Sequence, residues 1–97
     1  MSEQPLDAVA LTALSSAGRG DTAGLLAALQ RGASVDTADR SGHTLVFIAA
    51  QYGRTETVQA LAERGAEVNA GDFENYTPVY VAARNGHTET VRVLARL

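Results

Sequence analysis

Apolar residues recur along the chain at the three- and four-residue spacing of helices that bury one face. In the first run, Leu6, Val9 and Ala13 fall on one side of a helix. Asp7 stands at the start of this run and is a typical N-cap residue. Gly32 is the expected left-handed end of the second helix. The pattern predicts six helices: one that begins after Asp7, and others at about Asp21 or Thr22 to Arg31, Thr44–Tyr52, Thr55–Arg64, Thr77–Asn85 and Thr88–Arg96.

The predicted helices recur at a fixed offset of 33 residues. Residues 39–64 and 72–97 are identical at 12 of 26 aligned positions, and residues 17–36 match 50–69 at eight positions. Self-similarity at this period indicates helix pairs stacked into a solenoid. We therefore expect one all-α domain of three helix pairs, with repeats at about 6–38, 39–71 and 72–97. Two projecting turns, Ser34–His43 and Ala66–Tyr76, are expected to join the pairs.

The spaced identities carry a family resemblance. The second repeat supplies Asp39, Gly42, Thr44, Ala49, Ala50, Gly53, Glu56, Val58, Leu61, Gly65, Ala66 and Asn69. The third supplies Asp72, Thr77, Pro78, Ala82, Ala83, Gly86, His87, Glu89, Val91 and Leu94. These positions resemble the ankyrin repeat, whose pattern reads D-x-x-G-x-T-P-L-H-x-A-A-x-x-G-H-x-E-x-V-x-x-L-L-x-x-G-A-x-x-N. The resemblance runs from about Leu6 to Leu97. It implies an ankyrin-repeat solenoid of helix-turn-helix pairs with short projecting β-turn loops.

Three departures from the ankyrin pattern carry structural expectations. Residues 6–10 replace the usual turn, so the first repeat is expected to begin with an extended capping helix. Asn75 stands where the second repeat has Gly42, and asparagine is the best substitute for glycine in the left-handed conformation. Leu45 replaces the usual proline, which is expected to leave its N–H free in the first turn.

Several polar positions are interpreted structurally. Thr57 and Thr90 stand where the family prefers apolar residues, and we expect their hydroxyls to bond back to a carbonyl. His87 occupies the histidine of the Gly-His pair, where the resemblance implies a structural hydrogen bond. His43 lies in a projecting turn, where we expect a solvated contact residue rather than a metal ligand.

Composition narrows the classes of function. The net charge is −3 and all eight cations are scattered arginines, which disfavours binding to a nucleic-acid backbone. Cysteine is absent, which removes disulfides and thiolate chemistry, and the absence of lysine excludes Schiff-base chemistry. No apolar run approaches the ~18 residues of a membrane span, and residues 1–5 lack the features of a signal peptide. We therefore expect a cytoplasmic protein without nucleic-acid or membrane partners.

No catalytic constellation is evident. His43 and His87 are 44 residues apart, and two histidines without cysteine do not make a typical zinc site. Among the serines, only Ser41 lies near a histidine in the sequence, and a wet loop tip is poor ground for preorganised electrostatics. We expect no catalytic residue, no metal and no cofactor.

The five aromatic residues indicate the candidate binding surface, because none falls at a core position of the repeat pattern. The resemblance implies that loop tips and inner helices form a concave surface that binds a partner protein. Exposed aromatic side chains are enriched at interface hot spots. Alternatively, Phe47 and Tyr80 pack against each other between repeats, and Phe73 covers its own loop. The expected partner-binding residues are Arg40, Ser41, His43, Phe47, Gln51, Tyr52, Phe73, Glu74, Tyr76, Tyr80, Arg84 and Asn85.

The favoured function is thus a non-catalytic protein–protein interaction module, and two other interpretations stay open. Leu97 aligns with Arg64, so the last repeat is expected to be truncated and to lack a C-terminal cap. Its end face could mediate self-association as a homodimer, or the chain could be a regulatory or targeting fragment of a larger protein. The apolar residues expected on this face are Val79, Val91 and Leu94, with Val81 as a further candidate.

Overall fold

The structure is a computed structural model, and it describes residues 7–97. The frayed start expected at residues 1–5, and the apolar position at Leu6, lie outside the described residues. The helices are α1 (Ala8–Arg19), α2 (Thr22–Gln30), α3 (Leu45–Gln51), α4 (Thr55–Glu63), α5 (Pro78–Arg84) and α6 (Thr88–Arg96). Within residues 7–97 the only extended pairing is an isolated antiparallel bridge between Ala38 and Thr44. The predicted all-α class is confirmed.

The helices form three hairpins that stack side by side. Helix α1 packs on α2, α3 on α4, and α5 on α6, while α1, α3 and α5 form an inner row and α2, α4 and α6 an outer row. The predicted solenoid is therefore confirmed. Helix α1 has 12 residues, against seven in α3 and α5, as expected for an extended first helix. None of the helices described in residues 7–97 has the length and apolar composition needed to cross a bilayer.

The first turns of the inner helices are fixed by side-chain caps. Asp7 accepts a hydrogen bond from the Ala10 N–H at 2.8 Å, and Thr44 accepts one from the Phe47 N–H at 3.0 Å. The expectation that the Leu45 N–H stays free is wrong. It donates to the Thr37 carbonyl at 3.1 Å, because the chain before α3 doubles back beside Thr44.

Small residues let the inner helices approach closely. Ala13 and Ala17 of α1 and Ala49 of α3 are fully buried, and these two inner helices pack on each other. Leu25, Leu45 and Leu61, from α2, α3 and α4, are likewise fully buried and belong to the same core cluster. Burial of such a side chain contributes roughly 1.5–3 kcal/mol. The core is thus a continuous seam along the stack rather than one central cluster of bulky residues.

Polar bonds tie successive repeats together. The Thr57 hydroxyl lies 2.8 Å from that of Thr22, and the Thr90 hydroxyl lies 2.7 Å from that of Thr55. The structural interpretation of both threonines is confirmed, but their partners are hydroxyls rather than carbonyls, because each buried threonine faces the first turn of the preceding outer helix. His87 Nε2 lies 3.0 Å from the Gln51 carbonyl oxygen, which confirms its structural role and makes this nitrogen the donor.

The end face of the third hairpin differs from the expectation. Leu94 is only 6% exposed and Val81 only 4%, so neither is part of an exposed end. Both belong to the continuous core, because α5 and α6 turn these side chains towards the stack. Val91 is partly buried against the core, whereas Val79 is 37% exposed.

Candidate functional site

Two parallel rows of side chains line the inner face of the second and third repeats. His43, Phe47 and Gln51 recur at four-residue intervals, so they share one side of α3 and the turn before it. At the 33-residue offset they correspond to Tyr76, Tyr80 and Arg84 on α5 and its preceding turn. Since α3 and α5 pack side by side, the two rows form opposite walls of one groove.

The rings in each row stack on one another. His43 lies against Phe47 with ring centroids 4.4 Å apart and planes at 4°, and Tyr76 lies against Tyr80 at 5.1 Å and 11°. Each of these two stacked pairs therefore lies within one repeat. The expectation that no aromatic residue is part of the core is wrong for Phe47, which is 4% exposed and belongs to the core cluster, whereas Tyr80 is 44% exposed.

A histidine bridges the two projecting turns. His43 Nε2 lies 3.1 Å from a carboxylate oxygen of Asp72, and Nδ1 lies 3.3 Å from one of Asp39. His43 is thus engaged by both neighbouring turns rather than freely solvated. Sequence reasoning missed Asp39 and Asp72 as parts of this surface. The available signal was that the same aspartate opens both turns, at the 33-residue offset.

Asp72 is held ionised by the fold. Burial of the Asp72 carboxyl raises its pKa, but the N–H groups of Tyr76 and Glu74 and the side chain of His43 lower this pKa by more, so that it lies below the usual aspartate value. The carboxylate accepts from the Glu74 N–H at 2.8 Å and from the Tyr76 N–H at 3.0 Å. The same carboxylate therefore shapes its own turn and binds the preceding one.

The space between the rows, which we call the inner groove, has a volume of about 220 Å³. Seven of the expected contact residues line it, together with two that were not expected, Asp72 and Val81. The seven are His43, Phe47, Gln51, Glu74, Tyr76, Tyr80 and Arg84. A larger hollow, of about 530 Å³, lies on the outer row around Leu26 and Arg64, but it is an open surface on which few polar groups converge.

The remaining expected contacts lie outside the groove lining. Phe73 is 78% exposed and covers the neighbouring turn rather than its own, since a Cβ on Gly42 would lie 2.8 Å from its ring. Its N–H donates to the Ser41 carbonyl at 3.2 Å, and Arg40 precedes this residue at the exposed tip. Arg40, Ser41 and Phe73 form the loop-tip surface, and they lie close along the chain to His43 and Glu74 of the groove.

Two further expected contacts, Asn85 and Tyr52, lie at the C-terminal ends of inner helices. Asn85 donates its side-chain amide to the Gln51 carbonyl at 3.1 Å, beside the bond from His87. Tyr52 is 53% exposed and lies over Gly18 of α1, so it faces the first repeat. Asn85 therefore joins two repeats, and Tyr52 belongs to a separate part of the surface.

Residues 7–97 contain no cluster of three His, Asp or Glu side chains that could hold a metal ion.

The left-handed turn conformation predicted for Asn75 is confirmed by its φ of 69°, against 83° for Gly42. Both projecting turns thus share one backbone shape, which aligns the two rows.

The fold and the groove define a class of protein: a solenoid of short helix pairs with a polar and aromatic groove on its inner row. The family model of ankyrin repeats, which spans three copies, matches residues 10–97. The chain belongs to the ankyrin-repeat family. Members of this family are generally protein–protein interaction modules and typically have no enzymatic activity. A search of curated proteins found no match to the chain.

Proposed function

We propose that the protein binds a partner protein through the inner groove and the adjacent loop tips, without catalysis of its own. The observation that carries this proposal is the aromatic pair Tyr76 and Tyr80, which remains 40% and 44% exposed in a groove between two packed helices. Exposed aromatic rings on a rigid surface bury large area at low entropic cost when a partner binds.

The polar groups of the groove support the same conclusion. Within residues 7–97, the side chains of Gln51, Glu74 and Arg84 make no hydrogen bond or ion pair with the rest of the chain, and neither do the hydroxyls of Tyr76 and Tyr80. By contrast, His43 and Asp72 are bound to each other. The groove therefore presents groups that a partner can engage without disturbing the fold.

Both histidines are engaged in ways that argue against catalysis. His43 has a carboxylate at each ring nitrogen, and His87 donates to the Gln51 carbonyl. A general base must reach the proton that it abstracts. In this chain both imidazoles instead hold neighbouring repeats together.

A capture experiment with matched variants tests the proposal. Tyr80→Ala removes a groove ring, and Tyr52→Ala removes a ring of similar exposure that lies outside the groove lining. Quantitative mass spectrometry of proteins retained from the source organism is expected to show a partner held by the native protein and Tyr52→Ala but lost with Tyr80→Ala. Identical retained sets for all three proteins would overturn groove binding.

A second candidate function is self-association through the end face of the third hairpin. The observation that favours it is that Val79 is 37% exposed, whereas its counterpart Val46, covered by the next repeat, is 1% exposed. Val91 is partly buried against the core, to which Leu94 belongs. Sedimentation equilibrium of the native protein and Val79→Glu tests this idea. A dimer that Val79→Glu abolishes would support it, and a monomer at all concentrations would eliminate it.

A further inference from the structure

We propose that the inner groove recognises charge order in an extended segment of its partner. A basic residue of the segment contacts Glu74, an acidic residue about four positions away contacts Arg84, and an apolar side chain between them packs on Tyr76 and Tyr80. The proposal rests on the proposed function, since it specifies the partner of the same groove.

Two charges in the groove lining are free for this role. His43 and Asp72 are bound to each other at 3.1 Å, so the charged groups of the lining that have no partner within residues 7–97 are Glu74 and Arg84. Both are exposed, and neither forms an ion pair within residues 7–97. Glu74 belongs to the turn before α5 and Arg84 is the last residue of that helix, so the groove is acidic at one end and basic at the other.

The length of the groove sets the spacing in the partner. Helix α5 runs from Pro78 to Arg84, which is about 9 Å along its axis at 1.5 Å per residue, and Glu74 lies in the turn before it. An extended chain covers the helix in about three residues at ~3.3 Å each, and at least one more residue is needed to reach Glu74. A helical segment of this length, about 10 Å wide, has several times the volume of the groove, which is about 220 Å³. An extended segment therefore fits better than a helix.

The middle of the groove suits an apolar side chain with its backbone. The stacked rings of Tyr76 and Tyr80 offer a flat apolar surface, and buried Val81 lines the same groove. The two hydroxyls and the Gln51 amide are placed to bond the N–H and C=O groups of the segment. Charge-assisted bonds at both ends then fix its direction.

Selection from a phage-displayed library of random peptides provides the probe. The library is panned against the native protein and against Glu74→Arg combined with Arg84→Glu, which has the same net charge. We expect the two proteins to enrich peptides with opposite order of basic and acidic residues. A peptide selected by the native protein should bind the swapped variant at least about tenfold more weakly by calorimetry.

A matched control separates groove charge from general electrostatics. Glu89→Arg combined with Arg92→Glu reverses an exposed ion pair of α6, outside the groove lining, and should leave the affinity of the same peptide unchanged. Enrichment of one charge order by both the native and the swapped protein would overturn the proposal. If those peptides still lost affinity with Tyr80→Ala, groove binding would stand, and if they did not, the proposed function would fall as well.

Discussion

At the scale of single residues, Gly53 satisfies two constraints at once. Its φ is 69°, and a Cβ at this position would lie 2.6 Å from Nδ1 of His87. Gly86 has the same role in the third repeat, with a φ of 78°, but nothing lies within 4 Å of its Cβ position. A substitution at Gly86 therefore tests backbone strain alone, whereas a substitution at Gly53 tests backbone strain together with crowding against His87.

We expect Gly86→Ala to lower the free energy of unfolding by about 1–2 kcal/mol, the usual cost of a left-handed L-residue. Gly53→Ala should cost about 1 kcal/mol more, because it also displaces His87 from the Gln51 carbonyl. Urea unfolding of both variants measures the difference. In a His87→Ala background the extra cost of Gly53→Ala should disappear, and equal costs in the native background would contradict this account.

Ser16 offers a stabilising change. Its hydroxyl is buried and has no hydrogen-bond partner within the described residues, and the equivalent positions in the other repeats are Ala49 and Ala82. A buried hydroxyl without a partner is unfavourable. Ser16→Ala should therefore raise the free energy of unfolding by about 1 kcal/mol in urea denaturation. A loss of stability would show that the hydroxyl has a partner in solution.

The lowered pKa of Asp72 predicts acid sensitivity. A carboxyl whose pKa is lower in the folded state stabilises the protein above its unfolded pKa of about 4, and this contribution is lost as the pH falls through the folded value. Asp72→Asn should therefore be less stable than the native protein near neutral pH, and the difference should shrink below about pH 4. Glu63→Gln, an exposed change of the same charge, is the control for urea unfolding at each pH. A difference independent of pH would contradict the assignment.

At this scale, the conformation of a residue could be predicted from the sequence where it depends only on atoms close to it along the chain. The cap at Asp7 and the left-handed turn at Asn75 depend on a few neighbouring atoms, and both were predicted. The burial of Phe47 and the bond from the Leu45 N–H were not. The burial of Phe47 depends on the packing of the whole stack, and the bond from the Leu45 N–H depends on the path of the preceding turn. The pattern of a single repeat describes neither.

At the scale of elements, hydroxyl pairs join the outer helices. The Thr22–Thr57 pair, with its hydroxyls 2.8 Å apart, links α2 to α4. We expect Thr22→Val and Thr57→Val to be non-additive by about 1 kcal/mol, since either change alone breaks the same bond. A double-mutant cycle in urea measures this coupling. The combination of Thr22→Val with Thr90→Val, which are not paired, should be additive, and additivity in both cycles would show that the bond contributes nothing.

The elements themselves were largely predictable from the 33-residue period. The predicted helix from Thr44 in fact begins at Leu45, because Thr44 is its cap, and the second helix ends at Gln30. Seven residues of the groove lining were among the expected contacts, but their arrangement in two rows was not predicted. The bridge from His43 to Asp72 was not predicted, because it joins positions 29 residues apart whose meeting depends on how the turns lean together.

At the scale of the whole molecule, the stack is unevenly supported. Helix α3 packs on α1 and on α5, whereas the first and third hairpins each have one neighbour among the described helices. Stability in a solenoid is the sum of repeat terms and neighbour interfaces. Hydrogen exchange should therefore be slowest in α3 and α4, measured by mass spectrometry of peptides from each helix. Equally slow exchange in α5 and α6 would contradict this distribution.

Two hydrogen bonds, from the side chains of Asn85 and His87, converge on the Gln51 carbonyl oxygen, and this arrangement has a consequence for the evolution of such a protein. The atoms that align the repeats at this point are a backbone oxygen of Gln51 and side chains outside the groove lining. The side chains of Gln51, Glu74 and Arg84 make no hydrogen bond or ion pair within residues 7–97, so substituting them removes none of the bonds that align the repeats. Natural selection for a new partner can therefore change the side chains of the groove while the bonds between the repeats are kept.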